Sequence, residues 1–591
     1  MISLILSPYA HIVENRLIAG NIHYGIFHQL SGEVYDLNQT ILTLLGNLKM
    51  VRRVWIDPEE LKLRTDPASV QVKQLIAKEF LIEEGSDPLV SFADQYVVRP
   101  IQNPAIAWRA EDGIVWLVRT SMASHVFSPH KDELPAVIEE PLPPVAAAIF
   151  LQADGTKTLR QIFAELEPSD GDLFSDSNFR EAVNFLTHRE TQLIKFTSRR
   201  EDLADPFKPC NIVPRNLYHS AKWNPSTTAG SSAAADFHLH GIEDAWWEFD
   251  LIEPTINHSF RFPSEALGGL DYGGRFCCSA LNSEVLPRLN KLNRMNMLEV
   301  GGGTGTFARS FIKQAASLAA ASAKAIDITY QIMELSPTLI QSQKEVLADL
   351  FPVRHFQQDA TQFHLPGHKF DLIIANEVVA DFPIASVHRA AVVTAPHSSN
   401  EPSQTWEGEG AGDIEKYDLP VDDAPDSFLI NSGVFRFIER AWEHLAPGGA
   451  LIISEYGGEH QYPIKEYQLN HDEFSIHFGH VAVCARSVGF RSRLISLKEF
   501  LEVNDQVLML DGREEQILCL NSIFQRHGLS LPYAAISQRE FQEKFQHLLE
   551  RVGLIGITFS PLSSGFHYGP DLNEFFVLIL QKPEQEVAGG D

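Results

Sequence analysis

A glycine cluster set directly after an acid, Glu299-Val-Gly301-Gly-Gly303-Thr-Gly305, is the stretch of this chain best suited to chemistry. Glycines at 301, 303 and 305 let the backbone adopt positive φ and approach a ligand closely. Three more acids stand at the ends of later strand-like runs. Glu334 closes Ile328-Thr-Tyr-Gln-Ile-Met, Asp359 follows Val353-Arg-His-Phe-Gln-Gln, and Asn376-Glu377 follows Phe370-Asp-Leu-Ile-Ile-Ala. A carboxylate one βαβ step beyond a glycine turn can accept both hydroxyls of a ribose. The turn is not a P-loop, because no Gly-Lys-Ser/Thr follows it.

These residues need a parallel sheet to position them. Each apolar run is short enough for a buried strand, and a helical pattern from Phe307 to Leu318 follows the glycines. Pro447-Gly-Gly after the helical stretch 435–445 is a helix stop and turn, which makes Leu451 to Ser454 a fifth strand. Ile555 to Ser560 and Phe575 to Gln581 are expected as a closing strand hairpin. The expected fold class is α/β, a class I (Rossmann-like) methyltransferase domain. An Asp at the adenine side and a polar exit from strand four favour S-adenosyl-L-methionine (SAM) as cofactor over a hydride carrier. The expected cofactor-binding residues are Glu299, Gly301, Gly303, Gly305, Glu334, Asp359 and Asn376.

Methyl transfer is an in-line displacement at carbon, so catalysis rests largely on positioning. An acceptor amide or guanidine nitrogen must also lose a proton. Glu377 is expected to hold or deprotonate the acceptor N–H, with Asn376 orienting it; capping of a helix is its competing role. Asp381 is a second candidate. Tyr456, in Glu455-Tyr-Gly-Gly-Glu-His460, could hydrogen-bond the substrate. No Cys/His spacing suggests a metal.

The net charge of −29 argues against a nucleic-acid partner. No apolar run approaches the ~18 residues of a membrane span. The N-terminus lacks a basic n-region and reads as a strand rather than a signal peptide. The five cysteines form no disulfide framework, which fits a reducing cytoplasm. Residues 397–427 hold nine acids against one Lys and read as a mobile loop or lid within an insertion at about 395–430. The small-residue stretch 227–236 marks a linker over 201–245.

Several motifs resemble the MidA family, which includes a protein arginine methyltransferase that assembles respiratory complex I. These are Gly274-Arg-Phe-Cys-Cys-Ser, Met333-Glu-Leu-Ser-Pro-Thr-Leu339, Ala375-Asn-Glu-Val-Val-Ala-Asp-Phe-Pro383 and Glu455-Tyr-Gly457. The resemblance spans roughly residues 250–505, with the acid of the first motif missing. It implies a class I fold, SAM, Ser336 among the cofactor-site residues, and a peptide or protein nitrogen as acceptor. The catalytic domain is placed at 246–591.

The N-terminal part reads differently. Tyr24 to Asn38 is a strand, a Ser-Gly turn and a strand. A short helix from Thr40, a helix over 73–79 and a strand at Phe80-Leu-Ile-Glu83 follow. The order resembles a PqqD-like winged-helix module, which binds leader peptides by strand addition. A looser copy follows, with a strand at 115–119, helices at 144–152, 154–163 and 179–188, and a strand at 192–196. The expected modules, tandem winged-helix-like α+β units, are 1–86 and 87–200. The combination resembles the proteusin N-methyltransferases. It implies methylation of a side-chain nitrogen, Asn amide before Arg guanidine, on a ribosomally made precursor peptide recognised through its leader. The alternatives are a MidA-like arginine methyltransferase or assembly factor, and a peptide-binding protein whose SAM pocket does no chemistry.

Overall fold

The computed structural model describes residues 2–18, 21–31, 34–37, 41–43, 45, 54–100, 106–109, 113–120, 137–166, 176–188, 193–198, 234–240, 255–282, 294–321, 327–350, 352–390, 406–468, 471–511, 514–532, 534–551, 553–554, 557, 559–563, 567 and 569–584. The chain divides into two compact units. The first holds residues 1–229, 508–533 and 538–568; the second holds 230–507, 534–537 and 569–591. This differs from the expected single domain over 246–591, because most of 508–568 belongs with the N-terminal residues.

In the first unit, three helices start at Asp-Pro pairs. Asp57, Asp66 and Asp87 each accept a backbone N–H of the first turn, from Glu59, Ser69 and Leu89. Proline follows at the first helical position, where its fixed φ costs nothing. Ile2–Leu6 runs between Val54–Ile56 and Leu81–Glu83, antiparallel to both. The expected hairpin is present as Asn21–His28 paired with Val34–Asp36, with Ala10–Ile18 on its other side. The later copy holds helices Pro144–Gln152, Leu159–Leu166 and Ser177–Thr187. Its last strand, Ile194–Ser198, pairs with Tyr96–Pro100. The two expected modules are not separate bodies. Tyr9 and Leu30 are buried in one core with Ile149, Phe163, Phe179 and Phe196, and Gln29 donates to Thr187 Oγ1 at 3.0 Å. The returning chain adds Gly553–Leu554 beside Ile106–Arg109.

The second unit carries the chemistry, and its elements are numbered along the chain. Helices α1 (Ala234–His240), α2 (Ile256–Ser259) and α3 (Tyr272–Ala280) precede β1 (Arg294–Val300) and α4 (Thr306–Ala321). Then come β2 (Asp327–Glu334), α5 (Pro337–Val346), β3 (Arg354–Gln357) and β4 (Phe370–Asn376). The chain continues through α6 (Ser432–His444), β5 (Leu445–Gly458), β6 (Arg491–Ser496) and β7 (Phe575–Gln581). The sheet order is β3-β2-β1-β4-β5-β7-β6. The first five strands are parallel; β7 runs antiparallel between β5 and β6. This is the class I methyltransferase arrangement. The closing strand pairs with Arg491–Ser496, not with 555–560 as expected; Phe559–Pro561 instead pairs with Leu508–Leu510 in the first unit.

The strands bury both faces, as parallel strands under crossover helices must. Met297, Leu298, Leu372, Ile373, Leu451 and Ile452 are fully covered. Ser336 caps α5 through Leu339 N, and Pro337 opens that helix. The acidic insertion is folded where it is described. Ala385–Arg389 pairs with Trp406–Glu407 and Ser427–Ile430, and a helix lies at Ala411–Tyr417. Ile414, Tyr417, Leu419, Val421, Phe428 and Ile430 are buried in the same core as the sheet. Among the described residues, the acids Glu407, Glu409, Glu415, Asp418, Asp422, Asp423 and Asp426 are exposed between these apolar positions, which corrects the reading as a mobile loop; residues 391–405 lie outside the described residues. The expected linker also holds structure, since α1 falls within it; residues 201–233 and 241–254 lie outside the described set.

Candidate active site

The carboxyl ends of β1, β2 and β4 are in register, with Val300 beside Met333 on one side and Ala375 on the other. Three turns therefore leave the sheet at one level and wall a cavity of about 610 Å³. Of the expected residues, Glu299, Gly301, Gly303, Glu334, Asp359, Asn376, Glu377, Asp381 and Tyr456 line it. Gly305 and Ser336 do not. Gly305 allows α5 to pack close, since a Cβ there would lie 3.0 Å from Gln343 Cα. Ser336 is fully buried as the cap of α5.

The glycine turn is held open by backbone conformation. Gly301 and Gly303 have φ of +71° and +50°. A Cβ on Gly303 would meet nothing within 4 Å, so the turn leaves room on its ligand side. Glu334 is buried and already ordered. Its Oε1 accepts from Leu335 N at 2.8 Å and Ser336 N at 3.0 Å, and its Oε2 accepts from Gln343 Nε2 at 3.2 Å. Burial raises its pKa; the Ser336 N–H and the His238 ring oppose that rise. Asp359 accepts from Thr361 N and Oγ1, both at 2.8 Å, which fixes the turn after β3.

Glu299 is engaged on its inner side, where Tyr330 donates to Oε2 at 3.0 Å. Its burial pushes the carboxyl up to about 8, so it is mostly protonated at neutral pH.

At the other end, Glu377 has φ of +49°, a left-handed conformation that a non-glycine residue adopts only when its surroundings impose it. Its Oε2 accepts from Ile256 N at 2.8 Å, and its Oε1 accepts from Asn257 N at 3.4 Å and Asn376 Nδ2 at 3.2 Å. Glu377 thus caps α2 and lines the cavity at once. Asn376 is oriented in turn by Tyr272, whose hydroxyl donates to its Oδ1 at 2.6 Å. Burial pushes the Glu377 carboxyl up to about 7. Glu455 accepts from Ala380 N and Tyr456 N, and burial together with Glu473 and Glu377 holds its pKa well above the carboxylate range. Asp381 Oδ2 lies 2.9 Å from His238 Nε2.

Tyr272, His238, Asp472 and Glu473 were not anticipated from sequence. Tyr272 lies two residues ahead of the Gly274 motif, and His238 is hidden in an alanine-rich stretch. His477 and His480 stack on each other, ring centroids 3.7 Å apart, outside the cavity lining. His480 contacts the Pro420 carbonyl at 2.9 Å, and burial lowers the pKa of His477 to about 3, so the pair is structural.

Ten carboxylate residues are among the described residues that line the cavity, with no Lys or Arg. A phosphate-bearing dinucleotide would meet repulsion there, whereas a phosphate-free sulfonium nucleoside would not. The residues present fit SAM: Gly301, Gly303, Glu334, Asp359 and Thr361 line the cavity and would hold it. Bound there, SAM supplies an electrophilic methyl group.

Raised carboxyl pKa values make stability fall with pH. An acid with a folded pKa above its unfolded value of ~4.5 stabilises the fold below that value and loses the contribution as pH rises through the folded pKa. For Glu377 and Glu299 the loss is complete by about pH 7 and 8. The thermal midpoint is therefore expected to fall between pH 5 and 8.5, and Glu299→Gln to flatten that slope; circular dichroism melts across the range check both.

Residues 277–482 match a family described as "Putative S-adenosyl-L-methionine-dependent methyltransferase". No match was found among curated proteins. Among solved structures, the chain is similar to a superfamily protein from Burkholderia thailandensis bound to S-adenosyl-homocysteine, at 16% identity and a TM-score of 0.30, covering 60% of this chain and 94% of that one. It is also similar to phosphoethanolamine N-methyltransferase 2 from Haemonchus contortus, at 12% identity and a TM-score of 0.29, covering 61% of each chain. The sheet order, the cavity chemistry and the family match together identify the second unit as a class I methyltransferase domain whose cofactor is S-adenosyl-L-methionine.

Proposed function

We propose that the chain transfers a methyl group from SAM to a side-chain nitrogen of a ribosomally made precursor peptide, with the first unit reading the leader. The observation that carries the acceptor class is the lining: Glu377, Glu455, Asp472 and Glu473 all belong to it, with no Lys or Arg among the described lining residues. Asp472 pairs with Lys465 at 2.7 Å, which leaves Glu377, Glu455 and Glu473 as the acceptor-facing group. Clustered carboxylates raise one another's pKa and gain from a cation that pairs with them. A guanidinium matches two carboxylates in a planar, bidentate way. The lining therefore favours Arg over the neutral Asn amide that the module order suggests. Glu377 and Glu455 would hold the cation, and a carboxylate of the group would take the proton released as the N–CH3 bond forms, the S–CH3 bond of SAM breaks and S-adenosylhomocysteine leaves.

Leader reading has support in the first unit. Val54–Ile56 and Leu81–Glu83 are the outer strands of their three-stranded sheet. Trp55, 56% exposed, stands on one of them and could pack on an added strand.

The test is mass spectrometry after co-expression of the whole chain with precursor peptides encoded beside its gene. Steps of one methylene on Arg are expected, with Asn unmodified. Steps on Asn would overturn the acceptor class. Bound SAM with no mass shift on any peptide would point to a pocket that does no chemistry or to a protein acceptor.

A further inference from the structure

Helix α1 lies in the stretch whose composition suggested only a linker, yet three of its seven residues, Ala234, Ala235 and His238, line the cavity. Ala234 and Phe237 are 7% and 3% exposed, so the helix is anchored by an apolar side. It packs against His471–Phe474. His238 reaches the helical turn Val379–Asp381 that follows β4, where Nε2 lies 2.9 Å from Asp381 Oδ2. Its ring also opposes the rise in pKa of Glu334, at the end of β2. The strands β2 and β4 flank β1 on opposite sides, so their ends stand roughly 10 Å apart at ordinary strand spacing. Ala234, Ala235 and His238 share the cavity lining with Gly301, Gly303 and Glu334, so α1 faces the same cavity as the glycine turn of β1.

We propose that α1 forms the roof of the cofactor half of the cavity, and that His238 is the positioning residue that ties this roof to Asp381 across the nucleoside. The inference rests on the SAM reading of the cavity but not on the identity of the acceptor. In it, Gly301 and Gly303 form the floor, Glu334 the ribose end, and α1 the cover. The His238–Asp381 bond then contributes to cofactor affinity without either residue taking part in bond making. It also gives Asp381 a holding role in place of the proton transfer considered from sequence.

The test uses the full chain and S-adenosylhomocysteine as probe. Calorimetric titration of wild type, His238→Ala, His238→Gln and Asp381→Ala is expected to show at least tenfold weaker binding for both alanine variants. His238→Gln, whose amide can still donate to Asp381, recovers most of the loss. The double variant binds no more weakly than the weaker single one, because both changes cut the same tie. Amide hydrogen exchange over 234–240 should slow on ligand binding in wild type and stay fast in His238→Ala, a response that a purely structural histidine would not give. Unchanged affinity in His238→Ala, or additive losses in the double variant, overturns the proposal. If the alanine variant fails to fold, equal exchange over 234–240 in the wild-type chain with and without ligand overturns it as well. Failure of the function proposed above looks different: wild type binds the probe, His238→Ala binds weakly, and no peptide is methylated.

Discussion

Replacing Gly301 by alanine is expected to weaken S-adenosylhomocysteine binding by at least a hundredfold and to lower the stability of the catalytic unit by about 2–4 kcal/mol. Two costs add. At φ of +71° an alanine sits in the left-handed region, worth ~1–2 kcal/mol. Its Cβ would also lie 2.7 Å from Val378 Cβ and closer still to Val378 Cγ2. A β-branched side chain cannot swing clear of such a contact, so Val378 must shift. Val378 follows Glu377 directly, so the turn after β1 and the exit of β4 would move together. Gly303→Ala separates the two effects. Its Cβ meets no protein atom, so only backbone strain of about 1 kcal/mol is expected, while cofactor binding still falls because the methyl enters the ligand side of the turn. Thermal melts and calorimetry on both variants decide the matter; normal binding by Gly303→Ala would mean the cofactor does not lie on this turn.

The second large effect is expected at Glu377. Glu377→Gln keeps the shape and one acceptor oxygen for the Ile256 N–H, yet removes the charge. Methyl transfer should fall by ~10²–10⁴, the usual range for losing a positioned acid or base, while S-adenosylhomocysteine affinity stays within about threefold. Wild-type turnover should rise as pH passes about 7, where the carboxyl ionises, and that step should vanish in the variant. Tyr272→Phe probes the same group from behind, because it frees Asn376 to turn away from Glu377. Turnover in Glu377→Gln near the wild-type level would show that capping α2 is its whole role.

Much of this site was readable because its signals are local. A strand, a glycine turn and a helix follow one another within residues 294–321, and Glu334 ends its own strand while Asp359 and Glu377 each follow theirs. The pieces that escaped depend on distant pairing or on composition that misleads. Strand 575–581 was legible, but its partner 491–496 lies some eighty residues upstream, while the nearer run at 555–560 pairs elsewhere. The insertion carries so many acids that its buried positions, Ile414 to Ile430, did not register as a pattern. His238 sits in a low-complexity context, and only the spacing of Ala234 and Phe237 betrays a helix with one apolar side. No local signal shows that 508–568 returns to the first unit.

That return sets the order in which the molecule can be completed. Domains tend to fold as they leave the ribosome, N-terminal parts first. Here β7 is sandwiched between β5 and β6, yet it is made of residues 575–581, about eighty residues after β6. Until it emerges, β5 and β6 each present an unpaired edge, and the apolar face that β7 covers stays wet. Meanwhile the nascent chain is already spending about sixty residues on another body. The catalytic sheet must therefore wait, open, until residues 575–581 are made. Premature termination even slightly short of residue 575 would leave two sticky strand edges rather than a smaller working enzyme.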